Sequence, residues 1–284
     1  MISTGRYLIL SVLISFNWVS IQKLQAQNFE ETVSFADNQL YSGNLTGAIK
    51  TFQRALFFSD GRNTLYIFRK IAEISYLNND YETAQKYYGL AYNQADNDSL
   101  KTEFLFSKAG CQILDKNYQY ALIDLFSVDD SSLYTQKRLN FYLGTCYFGL
   151  EDFTKAKEYF ILSVEPDERN QVSELFSKKN LLLPSPKKAR IFSMIIPGSG
   201  QIYAGNLKAG INSLALTSGL IVLAINIGIK YKPVDALFSV FPWYERYYTG
   251  GLGKAEEIAI NKRQARRSSV YNNILTLASK NLEN

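Results

Sequence analysis

The sequence predicts an all-α protein, a solenoid of helical hairpins followed by a helical, apolar C-terminal part. Three observations predict it. Small residues recur four times in one helical register from Ala36 to Ser163. An apolar stretch without a charge runs from Ala209 to Ile229. Between the two, Pro184 and Pro186 stop the helical pattern and mark a boundary.

The repeat comes first because it sets the fold of half the chain. Ala36, Ala48 and Ala55 are followed in the same spacing by Ala72, Ala84 and Ala91, then Ala109, Ala121 and Val128, then Gly144, Ala156 and Ser163. Four positions after each middle alanine stands a large residue: Phe52, Tyr88, Leu125 and Phe160. Before each lies a polar turn: Gly43-Asn44, Asn79-Asp80, Lys116-Asn117 and Glu151-Asp152. Each unit reads as two antiparallel helices whose backbones approach at the small residues, with the large side chain filling the space beside them. This resembles the tetratricopeptide repeat, and Leu143-Gly144 with Tyr147 in the fourth unit adds to the likeness. The likeness covers four repeats within residues 27–165, with residues 166–189 as a capping helix (Val172 to Asn180) and linker.

The resemblance implies a concave groove lined by the first helix of each unit. Carried onto this chain, its groove positions are Tyr41, Tyr66, Arg69, Tyr76, Phe106, Phe141 and Phe148, an aromatic lining suited to a peptide segment or a helix. The alternative for each aromatic is packing within the solenoid. Cys111 and Cys146 occupy one register of the third and fourth units and read as small core residues. Asp129 and Asp130 read as a loop.

Residues 1–26 carry the order of a secretory signal peptide: a short positive start, an apolar run from Tyr7 to Val19, and a polar stretch ending at the small Ala26. An uncleaved anchor is the alternative reading. Either way the chain is expected to be exported, with its repeats in the periplasm.

The rest of the chain, residues 190–284, opens on Pro197-Gly198-Ser199-Gly200-Gln201-Ile202-Tyr203-Ala204-Gly205. The run predicts a tight turn between apolar helices. It is neither a dinucleotide fingerprint, since Tyr203 stands at the third glycine position, nor a phosphate-binding loop, since no G-K-[ST] follows. It resembles the P-G-x-G-Q-x-Y-x-G signature of small bacterial membrane domains, which implies Pro197, Gly198, Gly200, Gln201, Tyr203 and Gly205 as the motif residues. Residues 209–229 are long enough to cross a hydrocarbon core of roughly 30 Å. A buried helix in a soluble cap is the alternative. Val234 to Tyr248, dense in Trp and Tyr, predicts an interfacial or re-entrant helix ending at Gly250-Gly251. A Gly-Gly-Leu-Gly turn then leads to a terminal helix from about Ala255 to Ser279. The flanking charges point both ways: Lys230 and Lys232 favour a cytoplasmic loop, while Lys187, Lys188 and Arg190 would then stand outside.

Composition limits the chemistry. The chain of 284 residues is 46% apolar and 20% charged, which suits a folded core, and it contains no histidine and two cysteines. Histidine triads, histidine-ligated metals and disulfide frameworks are therefore excluded. No catalytic residue, metal site or cofactor is expected. The net charge of +5 divides into +2 for residues 1–26, −6 for 27–170 and +9 for 171–284. The basic end fits lipid headgroups, and export makes nucleic acid the wrong partner. The expected function is a non-enzymatic adaptor or scaffold at the membrane, binding protein partners in envelope or membrane-protein biogenesis. The alternatives are a soluble periplasmic scaffold and a membrane-domain enzyme or transporter component acting on a lipid-linked substrate through Gln201, Tyr203, Glu245 and Arg246.

Overall fold

The computed structural model describes residues 28–282 apart from Asp60, Arg62, Asp130 and Ser131, and the side chains up to Ala278. The expected signal peptide lies outside the described residues. Among the described residues every regular element is helical, which agrees with the all-α expectation. The chain divides into two compact units, one ending at Asp129 and one formed by the residues after it.

The first unit contains α1 (Phe29–Tyr41), α2 (Leu45–Ala55), a short 3-10 turn (Leu56–Phe58), α3 (Thr64–Leu77), α4 (Tyr81–Gln94), α5 (Asp98–Leu114) and α6 (Tyr118–Phe126). Consecutive helices pack in antiparallel pairs joined by three-residue turns. The turns share one design. Gly43, Asn79 and Lys116 adopt positive φ, and Asn44 and Asp80 then cap the next helix by accepting from the amides of Gly47 and Thr83. The side chains of the repeat behave as their spacing requires: Ala36, Ala48, Ala55, Ala72, Ala84 and Ala91 are fully buried beside Phe52, Ile67 and Ile71. Burying these apolar groups is the main force holding the pairs together.

The second unit begins with the fourth hairpin, α7 (Leu133–Gly149) and α8 (Phe153–Ser163), turned at Glu151 with the same positive φ and capped by Asp152. Gly144 is required by a close approach, since a methyl there would come within 2.8 Å of the Phe160 ring. Next come α9 (Arg169–Leu175) and α10 (Lys178–Leu181), where one capping helix from Val172 to Asn180 was expected. The chain breaks between them because Phe176 turns inward, its ring 6.1 Å from those of both Phe148 and Phe160.

The rest of the unit is α11 (Pro186–Ile195), α12 (Ser199–Tyr203), α13 (Leu207–Lys230), α14 (Pro233–Ser239) and α15 (Phe241–Leu282). The helix α15 corrects an expectation. The Gly250-Gly251-Leu252-Gly253 run is not a turn but the interior of a single 42-residue helix, about 63 Å long. Tertiary packing outweighs the low helix propensity of glycine here, because Gly251 lies where a side chain would meet the Ser213 hydroxyl of α13. The far end of α15 supplies Val270 and Ile274 to the core formed by Phe160, Val164, Val172 and Leu181. The residues expected as a linker, 166–189, therefore lie inside the second unit.

Candidate functional site

Two sites follow from the fold, one in each unit. In the first unit, Tyr66, Arg69, Glu73 and Tyr76 lie along one face of α3, and Asp37 and Tyr41 share a face of α1. Tyr41 is 89% exposed, and Tyr66 and Tyr76 are also open to solvent. Burial of the ring, then the charges of Asp37 and Glu73 and the neighbouring Tyr41, push the Tyr66 phenol above its ordinary value. Arg69 donates to Glu73 at 2.7 Å, and that bond holds its guanidinium above its ordinary value. The patch offers flat aromatic area with fixed charges of both signs, which suits recognition of a polypeptide segment.

The other groove positions lie elsewhere. Phe106 is 1% exposed and is a core residue of the first unit. Phe141 packs 5.8 Å from the Phe160 ring. Phe148 meets Phe153, Phe176 and Tyr271, so helix α15 covers it. These three are packing residues, which was the alternative for each of them. The sequence reading missed Asp37 and Glu73; their signal was helical spacing, four residues from Tyr41 and Arg69 respectively.

The glycine-rich motif forms the second site. Pro197 lies at the break between α11 and α12, and Gly198 follows with φ +93°, a left-handed conformation suited to glycine. A methyl at Gly198 would fall on the Gly210 carbonyl oxygen, and one at Gly200 on the Ala189 carbonyl oxygen. The backbone amide of Gly200 donates to the Ser193 hydroxyl at 3.0 Å. That hydroxyl donates in turn to Gln201 Oε1 at 2.8 Å, and Gln201 Nε2 donates to the Gly251 carbonyl at 2.9 Å. Gln201, 1% exposed, thus joins α11, α12 and α15 in one buried chain of hydrogen bonds. Tyr203 stacks edge-on against Phe192, and its hydroxyl accepts from the Ser185 amide at 3.1 Å. Gly205, at φ +91°, ends α12, and Asn206 caps α13.

This turn repeats the geometry of the hairpins. Asn206 N donates to the Gln201 carbonyl as Asn44 N does to Gln39, and Gly205 N to Ile202 as Gly43 N does to Leu40. Gly198, Gly210 and Thr217 follow the twelve-and-seven spacing of Ala36, Ala48 and Ala55, and all three are buried. The motif is a further hairpin turn in the same register, with Gly198 where the fourth unit has Gly144 and Gly210 where all four units have alanine. The sequence reading missed this spacing, because its glycines read locally as a turn.

Among the described residues, no group of three or more Cys, Asp or Glu side chains is placed to hold a metal ion. Cys111 and Cys146 are free and buried, and burial pushes their thiols up to about 11 and about 12. Outside the motif, α13 is the one helix among the described residues long and apolar enough to cross a membrane, with 11% of its most apolar window buried. No protein-family model, curated protein or solved structure matches the chain.

Proposed function

We propose that this protein is a non-enzymatic, exported adaptor of the tetratricopeptide type, anchored at a membrane by its C-terminal part and binding protein partners during envelope or membrane-protein biogenesis. The exposure of α13 carries the reading. A long apolar helix inside a soluble cap is covered by its neighbours, whereas this one is 11% buried over its most apolar window. Lipid is the partner suited to an apolar surface that surrounds a helix. The regular hairpin turns and the tyrosine patch on α1 and α3 support the adaptor half. The apolar order of residues 1–26 supports export. Gln201 spends its amide on Ser193 and Gly251, which supports a structural rather than a chemical motif.

Carbonate extraction of membranes containing the full chain tests the anchor, and a photo-crosslinking residue at the exposed Tyr76 tests the patch. Retention in the pellet together with crosslinks lost in Arg69→Ala supports the adaptor. Release into the supernatant replaces it with the soluble scaffold. Loss of function in Glu245→Ala or Arg246→Ala, with crosslinking intact, favours chemistry in the membrane part.

A further inference from the structure

We infer that a basic face on the second unit, formed by Lys178 and Lys179 of α10, Lys187 and Lys188 of α11 and Lys262 of α15, captures an acidic stretch of a polypeptide partner. This deepens the adaptor reading, on which it rests, by giving one partner contact its chemistry.

The first support is convergence. Residues 178–190 hold five basic groups and no acidic one, and residues 261–267 hold four basic groups and no acidic one. Arg266 Nη1 donates at 3.1 Å to the carbonyls of both Lys179 and Leu183, and Arg267 Nε donates to that of Leu181 at 2.9 Å. These bonds tie two runs, far apart in the chain, to one another. Lys262 stands about one turn before Arg266 on the same helix.

The second support is surplus charge. Two carboxylates answer these groups: Glu256 pairs with Arg190 at 3.1 Å, and Glu151 with Arg267 at 2.6 Å. The five lysines are exposed and, among the described residues, form no ion pair. Beside Lys262 in the chain, the buried Nε of Arg263 has no hydrogen-bond partner. Like charges gathered on one face repel, and an anionic partner relieves that repulsion. A run of Asp or Glu brings carboxylates at a spacing that several lysines can share, which gives complementarity and a fast, salt-sensitive encounter.

The third support is height, which selects a polypeptide over the bilayer that α13 would cross. Gly198 abuts Gly210 beside Lys208, where the apolar length of α13 begins. Close before that turn, the Tyr248 hydroxyl donates to the Met194 carbonyl at 2.8 Å. Measured from Tyr248 along α15, Lys262 stands about 21 Å farther on and Arg266 about 27 Å. A bilayer of roughly 40–45 Å around a core of about 30 Å leaves only about 5–8 Å of headgroups on each side. The basic groups of α10 and α15 therefore stand beyond headgroup contact, and at about 0.1 M salt the field of the surface decays within roughly 10 Å.

The test uses the full chain in phosphatidylcholine nanodiscs and a fluorescein-labelled glutamate decamer, with binding read by anisotropy at low and at physiological salt. Saturable binding that weakens with salt is expected. A variant combining Lys178→Gln, Lys179→Gln, Lys187→Gln and Lys188→Gln should bind roughly tenfold or more weakly. The pair Lys50→Gln and Lys86→Gln, exposed on the first unit, should leave binding unchanged. No binding, or equal binding by the fourfold variant, overturns the proposal. So does loss of binding at physiological salt when phosphatidylglycerol replaces phosphatidylcholine, because the face would then lie on headgroups. Tighter binding of a single-stranded DNA decamer overturns the polypeptide as occupant. Carbonate release of the chain removes the anchor reading alone, and the peptide is then titrated against the released protein; loss of the Tyr76 crosslinks likewise bears on the tyrosine patch and not on this face.

Discussion

Arg267, deep in the terminal helix, holds Glu151 at the turn of the fourth hairpin through two bonds of 2.6 and 3.2 Å, and donates to the Leu181 carbonyl at 2.9 Å. Its guanidinium also lies 4.8 Å from the Phe153 ring centre. The two partners differ in environment: the Arg267 side chain is 13% exposed and that of Glu151 61%. Loss of the arginine therefore matters more than loss of the carboxylate.

Arg267→Ala is expected to lower the stability of the second unit by about 1.5–3 kcal/mol, the range for hydrogen bonds to a charged group. Glu151→Gln is expected to cost about 1 kcal/mol or less, because an exposed ion pair is screened. Hydrogen bonds from Arg267 hold the Glu151 carboxyl below its ordinary value of 4.5. The contribution of the pair is thus full above that value and is lost as pH falls through the lowered one. Urea unfolding in detergent at neutral and acid pH checks this. An Arg267→Ala deficit that does not shrink in acid would show that the ion pair contributes nothing.

The glycines of the motif divide by what surrounds them. Gly200→Ala places a methyl on the Ala189 carbonyl, so a loss of about 1–3 kcal/mol is expected from overpacking. Gly219→Ala, on the open side of α13, meets nothing and is expected to be neutral or to gain up to about 1 kcal/mol in helix propensity. Thermal melts of the two variants in the same detergent compare them directly. Equal losses would mean that the close crossing at Gly200 is not tight.

Gln201→Leu removes the donor to Gly251 and the acceptor for Ser193, which is expected to cost about 1–3 kcal/mol. Gln201→Glu is expected to be worse at neutral pH, because it turns a carboxylate oxygen toward the Gly251 carbonyl. The melting curve of Gln201→Glu should rise toward the parent on going from pH 7 to pH 5, because the protonated carboxyl can again donate to Gly251 and accept from Ser193, whereas Gln201→Leu shows no such recovery. A Gln201→Glu variant as stable as the parent at pH 7 sinks the bridging role.

Tyr66→Ala and Arg69→Ala should reduce partner crosslinking while leaving the melting temperature of the first unit almost unchanged. Phe106→Ala should do the reverse, with a stability loss of about 3–5 kcal/mol for a fully buried phenylalanine. Far-UV circular dichroism melts separate the two outcomes. Tyr66→Ala behaving like Phe106→Ala would make the patch a packing feature.

Thiol reactivity offers a check on both units. With thiols pushed up to about 11 and about 12, Cys111 and Cys146 are expected to resist an aromatic disulfide reagent at pH 8 and to react fully in denaturant. Fast reaction of either in the native protein would place it at the surface.

How much was legible follows from the range of each signal. The hairpins were readable because each depends on local matters: a polar turn, a capping Asn or Asp, and small residues twelve and seven positions apart. The apolar helix α13 was readable because it needs no partner to declare itself. The exposed aromatic residues were readable only in part. Tyr66, Arg69 and Tyr76 follow a helical face, but the fate of Phe148 depended on Tyr271, far away in the chain. The Gly250–Gly253 run misled for the same reason. Glycine signals a turn locally, yet here it serves the close passage of α13 and α15.

The residues by themselves determined that this chain is helical, that its units repeat, and that one helix is long and apolar enough to cross a membrane, since each of these rests on side chains a few positions apart. Tertiary structure alone decided that the fourth hairpin and the terminal helix form one packed body, that Gln201 is a bridge, and that the glycines bring helices together. Those outcomes depend on contacts between residues separated by fifty to more than a hundred positions, such as Gln201 with Gly251 and Arg267 with Glu151. Hydrophobic burial drives such contacts without regard to sequence distance, so no local pattern announces them.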